Sequence, residues 1–172
     1  MAENVKKKIL VVDDEADVRN FLKAALLEAG FEVILAEDGN VALGKVKKQI
    51  PDLISLDLVM PNKSGAKFHR ELTRKKEWSK IPVIIVTGHA RDDLGKADLK
   101  ELTMSGPGIY LEKPVKPNNY IAAIKKILNM DSTDEEKETA EMVHLQSDLK
   151  NIIDNADPET LKKLKELLNK TK

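Results

Sequence analysis

The stretch Ile9-Leu10-Val11-Val12-Asp13-Asp14 is a run of four apolar residues that ends in two carboxylates. An unbroken apolar run of this length is typical of a parallel strand that is buried on both faces of a sheet. Three further short runs, each largely apolar, are followed at once by a polar or charged residue: Asp57 after 53–56, Thr87 after 83–86 and Lys113 after 109–112. Because the carboxyl ends of neighbouring parallel strands meet at one edge of a sheet, we expect these side chains to share one crevice.

From residue 8 to about residue 130, short β-branched runs alternate with longer segments of helical spacing. Glycines and prolines separate these segments at the points where a strand should meet a helix. The strands are predicted at 8–13, 32–36, 52–57, 81–86 and 109–112. Apolar residues at helical spacing from Val18 to Ala29 predict the first helix, and the later helices are predicted at about 39–49, 65–77, 92–105 and 117–129. This alternation predicts an α/β fold, a doubly wound five-stranded parallel sheet with helices on both faces.

The composition suits a globular domain of ordinary size with an appendage. The chain has 172 residues, and its 29 basic residues balance its 29 acidic ones, so net charge points neither to nucleic acid nor to a membrane surface. The absence of cysteine excludes disulfides, thiolate metal ligands and thiol nucleophiles. No apolar run approaches the roughly 18 residues of a membrane span, and the apolar run near the N-terminus is too short for a signal peptide. We therefore expect a cytoplasmic protein.

The last part of the chain differs in character from the rest. We predict the α/β domain over 1–130, an acidic linker over 131–141 and a helical extension over 142–172, with a second helix starting at Asp157-Pro158. Apolar residues of this extension recur at three- and four-residue spacing, so the resulting helical hairpin needs a partner surface, by docking on its own domain or by dimerisation. After Met130 there are 11 acidic residues and 7 lysines, net −4, so we expect no nucleic-acid-binding output here.

The crevice has the residues that phosphoryl transfer onto an aspartate requires. Its carboxylates suit Mg²⁺, Asp57 is placed to attack phosphorus, and Lys113 and Thr87 are placed to neutralise or hydrogen-bond the phosphoryl oxygens. Each residue also has a simpler interpretation. Asp14 could cap the first helix, Asp57 could form a turn, Thr87 could be an ordinary strand residue and Lys113 a solvated cation. The occurrence of all of them at strand ends favours the chemical interpretation.

These residues resemble the receiver domain of bacterial two-component response regulators over about residues 6–129. The motifs that carry the resemblance are 9–15, Asp57-Leu58-Val59-Met60-Pro61 with Gly65 after it, Thr87-Gly88, and Tyr110-Leu111-Glu112-Lys113-Pro114. The resemblance implies the flavodoxin-like strand order 2-1-3-4-5. It also implies that a sensor histidine kinase or a phosphotransfer protein donates the phosphoryl group, and that a possible homodimer or a downstream protein engages residues 142–172.

The resemblance also implies a role for each site residue. Asp57 would accept the phosphoryl group, and Asp13, Asp14 and Asp57 with the backbone carbonyl of Val59 would hold Mg²⁺. Lys113 would pair with the phosphate, across a cis Lys113-Pro114 bond. Thr87 and Tyr110 would form the conformational switch; alternatively, the Tyr110 ring could be packed permanently in the core.

Several features leave alternatives open. The segment from Thr87 to Gly106 is longer than expected for the family, with an unusual Gly106-Pro107-Gly108 before the last strand. His89 could shield the phosphoryl group from water, and His144 could be a histidine of an internal phosphorelay. Both could also be ordinary surface residues. The competing functions are a phosphorylation-independent interaction scaffold and an aspartate-based phosphohydrolase. Because no second acid-base carboxylate or capping insertion is evident, we expect no enzymatic activity on an external substrate.

Overall fold

A computed structural model of the chain describes residues 5–88 and 109–170. Its strands are β1 (Lys8–Val12), β2 (Glu32–Ala36), β3 (Leu53–Leu56), β4 (Val83–Thr87) and β5 (Ile109–Glu112). Its helices, numbered along the described residues, are α1 (Ala16–Glu28), α2 (Gly39–Lys48), α3 (Gly65–Arg74), α4 (Pro117–Ile127), α5 (Asp134–Asn155) and α6 (Pro158–Lys170). The predicted helix at 92–105, the segment 106–108 and His89 lie outside the described residues.

The five strands form one parallel sheet in the order β2-β1-β3-β4-β5, which confirms the predicted doubly wound fold. Alternate residues of each strand face opposite sides of the sheet. In β1, Leu10 and Val12 face the core shared with α2 and α3, whereas Ile9 and Val11 face the core shared with α1 and α4. All four side chains are at most 1% exposed, as the unbroken apolar run predicted.

The register of the sheet decides which residues meet at its carboxyl edge. Val12 of β1 pairs with Leu56 of β3, so the residues that follow them, Asp13 and Asp57, leave the sheet side by side. The Asp57 backbone N–H donates to the Val12 carbonyl at 2.9 Å, which extends the ladder into the loop. Towards the β5 edge of the sheet, Thr87 of β4 pairs with Glu112 of β5, the residue directly before Lys113.

Helix and strand ends differ from the predicted ones by a few residues. β4 begins at Val83, not at residue 81, because Pro82 precedes it, and α3 ends at Arg74 because Lys75 is already extended. The linker is shorter than predicted: residues 134–141 are helical, so the proposed boundaries 131–141 and 142–172 need correction. A capping box fixes the start of α5 at Asp134: the Thr133 side chain accepts the Glu136 backbone N–H, and the Glu136 side chain accepts the Thr133 backbone N–H.

The two predicted C-terminal helices are present, joined by residues 156 and 157. Helix α5 packs along α4 and β5, with Ala140, Val143 and Ser147 buried against the domain. Helix α6 has no buried residue. Among the described residues, no helix is both long enough and apolar enough to cross a membrane.

Candidate functional site

Three carboxylates converge at the carboxyl edge of the sheet. Asp13 and Asp57 follow β1 and β3 and are each 1% exposed, whereas Asp14 is exposed. One oxygen from each of the three groups lies within 4.8 Å of the others. The helix-capping interpretation of Asp14 is wrong, because α1 is preceded by Glu15 and it is the Asp13 side chain that accepts the Glu15 N–H at 2.9 Å.

Lys113 reaches into this cluster from the end of β5. Its Nζ lies 2.7 Å from Asp13 Oδ2 and 3.1 Å from Asp57 Oδ2. Burial by itself would lower the pKa of Lys113, but the hydrogen bond with Asp13 and the charges of both aspartates outweigh it, so the pKa is raised. The interpretation of Lys113 as a solvated cation is therefore wrong; the lysine is a fixed positive charge over two buried carboxylates.

Burial has the opposite effect on the pKa of Asp13. The pKa of Asp13 is raised by desolvation, although the hydrogen bonds from Lys113 and the Glu15 amide oppose this and the neighbouring Asp57 charge adds to it. Two buried carboxylates with one ammonium leave an excess of negative charge at the site. A divalent cation is the natural complement to that excess.

The donor set fits Mg²⁺. This ion prefers a few carboxylate oxygens and keeps several waters, and the cluster offers two buried carboxylates beside one that is open to solvent. Asp13, Asp14 and Asp57 would hold the ion. The Val59 N–H donates to Asp57 Oδ1 at 3.4 Å, which places this residue beside the cluster, while the role of its carbonyl as a ligand stays a prediction.

The loop after β3 is held close to Asp57 by a glycine. The Gly65 N–H donates to the Leu58 carbonyl at 2.9 Å, and a Cβ at position 65 would lie 2.1 Å from the Asp57 carbonyl oxygen. Only glycine therefore allows α3 to begin this near the site. In the same loop Asn62, with φ of 63°, donates from its side chain to Asp38 Oδ2 at 2.9 Å, which ties the loop to the start of α2.

Sequence reasoning did not assign a role to several residues of this region. Glu15 lies 3.2 Å from Lys113 Nζ, and Arg19 Nη1 donates to the Asp13 carbonyl at 2.7 Å. Asp38 and Asn62 brace the loop from the other side. A charged residue within two helical turns of the Asp pair was the available signal for Glu15 and Arg19. The Asp38–Asn62 contact joins positions 24 apart and has no local signal.

The remaining predicted residues lie on β4 and β5. Thr87 is fully buried, and its carbonyl accepts the Lys113 N–H at 3.1 Å. The Lys113-Pro114 bond is cis, as predicted. Tyr110 is 6% exposed and contacts α5: its N–H donates to Ser147 Oγ at 3.2 Å, and Lys150 Nζ lies 4.7 Å from the ring centroid. The structure thus places Thr87 and Tyr110 in the interior, while their part in a switch stays a prediction.

The comparisons with known proteins agree with this geometry. The family profile described as response regulator receiver domain matches residues 9–125. The chain is 32% identical over 142 residues to the phosphate regulon transcriptional regulatory protein PhoB of Escherichia coli, covering 83% of this chain and 60% of PhoB. It is 37% identical over 128 residues to the probable transcriptional regulator ycf27 of Pyropia yezoensis, covering 73% and 49% of the two chains.

Solved structures show the same likeness. The chemotaxis response regulator CheY4 of Vibrio cholerae superposes with a TM-score of 0.60 at 28% identity, over 72% of this chain and 99% of that one. The response regulator TrrA of Thermotoga maritima, solved in complex with Mg²⁺-BeF, superposes with a TM-score of 0.57 at 34% identity, over 70% and 98%. The chain spans only about half to three fifths of the length of the curated relatives named above. On the extent of these matches, the chain belongs to the family of response regulator receiver domains.

Proposed function

We propose that the chain is a phospho-accepting signalling switch of a two-component system, with Asp57 as the acceptor. The observation that carries the proposal is the convergence of Asp57, two further carboxylates and the Lys113 ammonium at one edge of the sheet. A nucleophilic carboxylate, donors for a divalent cation and a fixed cation are the parts that phosphoryl transfer needs.

The chemical step is a displacement at phosphorus. A carboxylate oxygen of Asp57 forms the new O–P bond while the P–N bond of a donor phosphohistidine breaks, and the electron pair of that bond stays on the imidazole nitrogen. Lys113, 3.1 Å from Asp57, balances the negative charge that the phosphoryl oxygens bring. A Mg²⁺ ion held by the three aspartates would supply further charge neutralisation. The protein acts on its own side chain, and we infer no external substrate.

The donor would be a sensor histidine kinase or a phosphotransfer protein. An open groove beside Lys113 supports this part of the proposal, because it offers a partner protein a surface directly next to the site. Apolar side chains of α1 and of the loop after β5 line it, and Phe21 within it is 48% exposed. An exposed aromatic ring next to a reactive centre suits contact with another protein.

The signal would leave the site through β5. Thr87 and Tyr110 would respond to the phosphoryl group, and Tyr110 already contacts Ser147 and Lys150 of α5. Lys150 also pairs with Glu112 at 2.8 Å, one residue before Lys113. A shift of β5 at the site would therefore change the packing of α5 directly, because no other element lies between them.

The described C-terminal helices suit protein contacts better than nucleic acid. Residues 134–170 contain ten acidic residues and six lysines, net −4, which is the wrong sign for a phosphate backbone. The curated relatives PhoB and ycf27 are named as transcriptional regulators. For the helices of this chain, we propose an output through proteins.

The test is intact-mass spectrometry after incubation with Mg²⁺ and acetyl phosphate. We expect one phosphoryl adduct on the wild type, none on Asp57→Asn, and none when Mg²⁺ is chelated. Asp17→Asn, which changes an exposed aspartate in the first turn of α1, is the matched control and should be phosphorylated like the wild type. The proposal would be contradicted by a wild-type chain that binds Mg²⁺ but is phosphorylated neither by acetyl phosphate nor by histidine kinases. That result would support the interaction scaffold.

A further inference from the structure

Helix α5 carries two stripes on nearly opposite sides. The inner stripe contains Ala140, Val143 and Ser147, each at most 3% exposed against the domain. The outer stripe consists of four residues at spacings of three, four and three; they are Met142, Leu145, Leu149 and Ile152, between 49% and 57% exposed. At 100° per residue the centres of the two stripes lie about 170° apart, so no rotation of α5 against the domain can bury both.

Helix α6 repeats the pattern. Leu161, Leu164 and Leu168 follow one another at spacings of three and four, which places them on one side of the helix. Leu161 is 38% exposed and Leu168 is 71% exposed, and α6 buries no residue anywhere. A thirteen-residue helix is marginal in water unless an apolar face is covered, so this stripe also calls for a partner.

The two helices have opposite charge. Helix α5 has seven acidic and two basic residues, net −5, whereas α6 has four lysines and two glutamates, net +2. Glu141 and Asp148 flank the outer stripe of α5, and Lys165 flanks the stripe of α6. Two α5 helices would therefore repel each other, while α5 and α6 attract. The lengths are also compatible, because the outer stripe of α5 from Met142 to Ile152 is about 15 Å long and α6 is about 20 Å long, so α6 can span the stripe.

The connection between α5 and α6 leaves the outer stripe of α5 exposed within one chain. In one chain, Ala156 has φ of −76° and ψ of 140°, an extended conformation, so α6 departs from α5 and the two stripes stay exposed. Exposed apolar patches of more than a few hundred Å² are rare on monomers. We propose that two copies form a two-fold dimer in which α6 of each copy packs on the outer stripe of α5 of the other. This proposal does not depend on phosphorylation of Asp57.

Light scattering after gel filtration, over a range of concentrations, tests the dimer. We expect a mass near twice 19.2 kDa for the wild type. The double variants Leu145→Glu/Leu149→Glu on α5 and Leu161→Glu/Leu168→Glu on α6 should each be monomeric. The controls Gln146→Glu and Asn169→Glu add charge at exposed positions of the same helices outside the stripes and should stay dimeric. A folded wild type that is monomeric at all concentrations overturns the proposal, as does a dimer that either double variant leaves intact.

Mixing the two double variants distinguishes exchange between copies from a hairpin within one chain. The α5 variant retains an intact α6, and the α6 variant retains an intact outer stripe on α5, so the mixture restores one of the two contacts. We expect native mass spectrometry to show a heterodimer in the mixture and only monomers in either variant alone. A mixture without heterodimer, measured where the wild type is fully dimeric and repeated with cross-linking before analysis, overturns the exchange of α6.

Circular dichroism and phosphorylation by acetyl phosphate provide the folding control. All variants should retain the wild-type helical signal from the α/β domain, because the substituted side chains are exposed. They should also be phosphorylated like the wild type, since no substituted residue lies at the site. A failure of phosphorylation in every chain, the wild type included, would count against the proposed function and leave the dimer result unaffected.

Discussion

Lys113 neutralises two carboxylates that burial would otherwise make unstable in their charged form. We expect Lys113→Met to lower the free energy of unfolding by about 3 kcal/mol without divalent cations at neutral pH, because it leaves Asp13 and Asp57 without their buried counterion. Urea denaturation measures this change. Lys116→Met is the matched control, an exposed lysine three residues further on, and should change stability by less than about 0.5 kcal/mol. Equal effects of the two substitutions would show that the carboxylates do not need the lysine.

Asp38 makes a contribution to stability that depends on pH. Its carboxylate accepts the N–H groups of Val41 and Asn40, at 2.9 and 2.8 Å, and the Asn62 side chain; these hydrogen bonds, that from Val41 foremost, lower the pKa of Asp38. A lowered pKa in the folded state means that the charged form stabilises the fold above the unfolded pKa of about 3.9. That contribution is lost as pH falls through the folded pKa.

Substitution of Asp38 should reveal this pH dependence. We expect Asp38→Ala to cost about 1–2 kcal/mol at pH 7, the usual value of an N-cap, and to cost less at acid pH, where the wild-type carboxyl group is itself protonated. Urea denaturation at several pH values measures the difference. The exposed neighbour Glu37 provides the control, since Glu37→Ala should give a small difference at every pH. A cost for Asp38→Ala that is the same at all pH values would contradict this assignment.

Gly44 of α2 and Gly65 of α3 should respond oppositely to substitution by alanine. A Cβ at Gly65 would meet the Asp57 backbone at 2.1 Å, so α3 must move away from the site. We expect Gly65→Ala to lower the free energy of unfolding by about 2 kcal/mol or more and to slow phosphorylation. Gly44 has no atom within 4 Å of its virtual Cβ, so Gly44→Ala should raise stability by about 0.5–1 kcal/mol. Thermal denaturation of both variants checks this contrast, and a destabilising Gly44→Ala would contradict it.

The elements show which parts of the structure could be predicted from the sequence. The strands were predictable because unbroken apolar runs occur where a parallel sheet is buried on both faces, and the convergence of Asp13, Asp57 and Lys113 follows from parallel register alone. The start of α5 was predicted too late in the chain because the acidic composition of 131–141 is typical of a linker. The Thr133–Glu136 capping box and the Lys125–Glu136 ion pair instead start the helix at Asp134. Contacts such as Ser147 with Tyr110 join residues 37 apart and depend on packing that no local pattern encodes.

At the scale of the whole molecule, the proposed cation site can form only when the fold is complete. Its carboxylates come from the ends of β1 and β3, which lie more than forty positions apart in the chain, so Mg²⁺ should bind the folded state and not the unfolded one. At a concentration one hundred times its dissociation constant, a ligand of this kind adds about 2.7 kcal/mol to the free energy of unfolding. We expect Mg²⁺ to raise the unfolding temperature of the wild type and to have a much smaller effect on Asp13→Asn.

The response to Mg²⁺ should also depend on Lys113, because the ion and the ammonium group neutralise the same two carboxylates. Two positive groups that share partners do not stabilise additively. Mg²⁺ should therefore raise the unfolding temperature of Lys113→Met by more than that of the wild type, and recover part of the stability lost with the lysine. Calorimetry with and without Mg²⁺ on both proteins measures this coupling, with sodium chloride of equal ionic strength as the control. Equal increments for the two proteins would mean that the ion binds away from the Asp13–Asp57–Lys113 cluster.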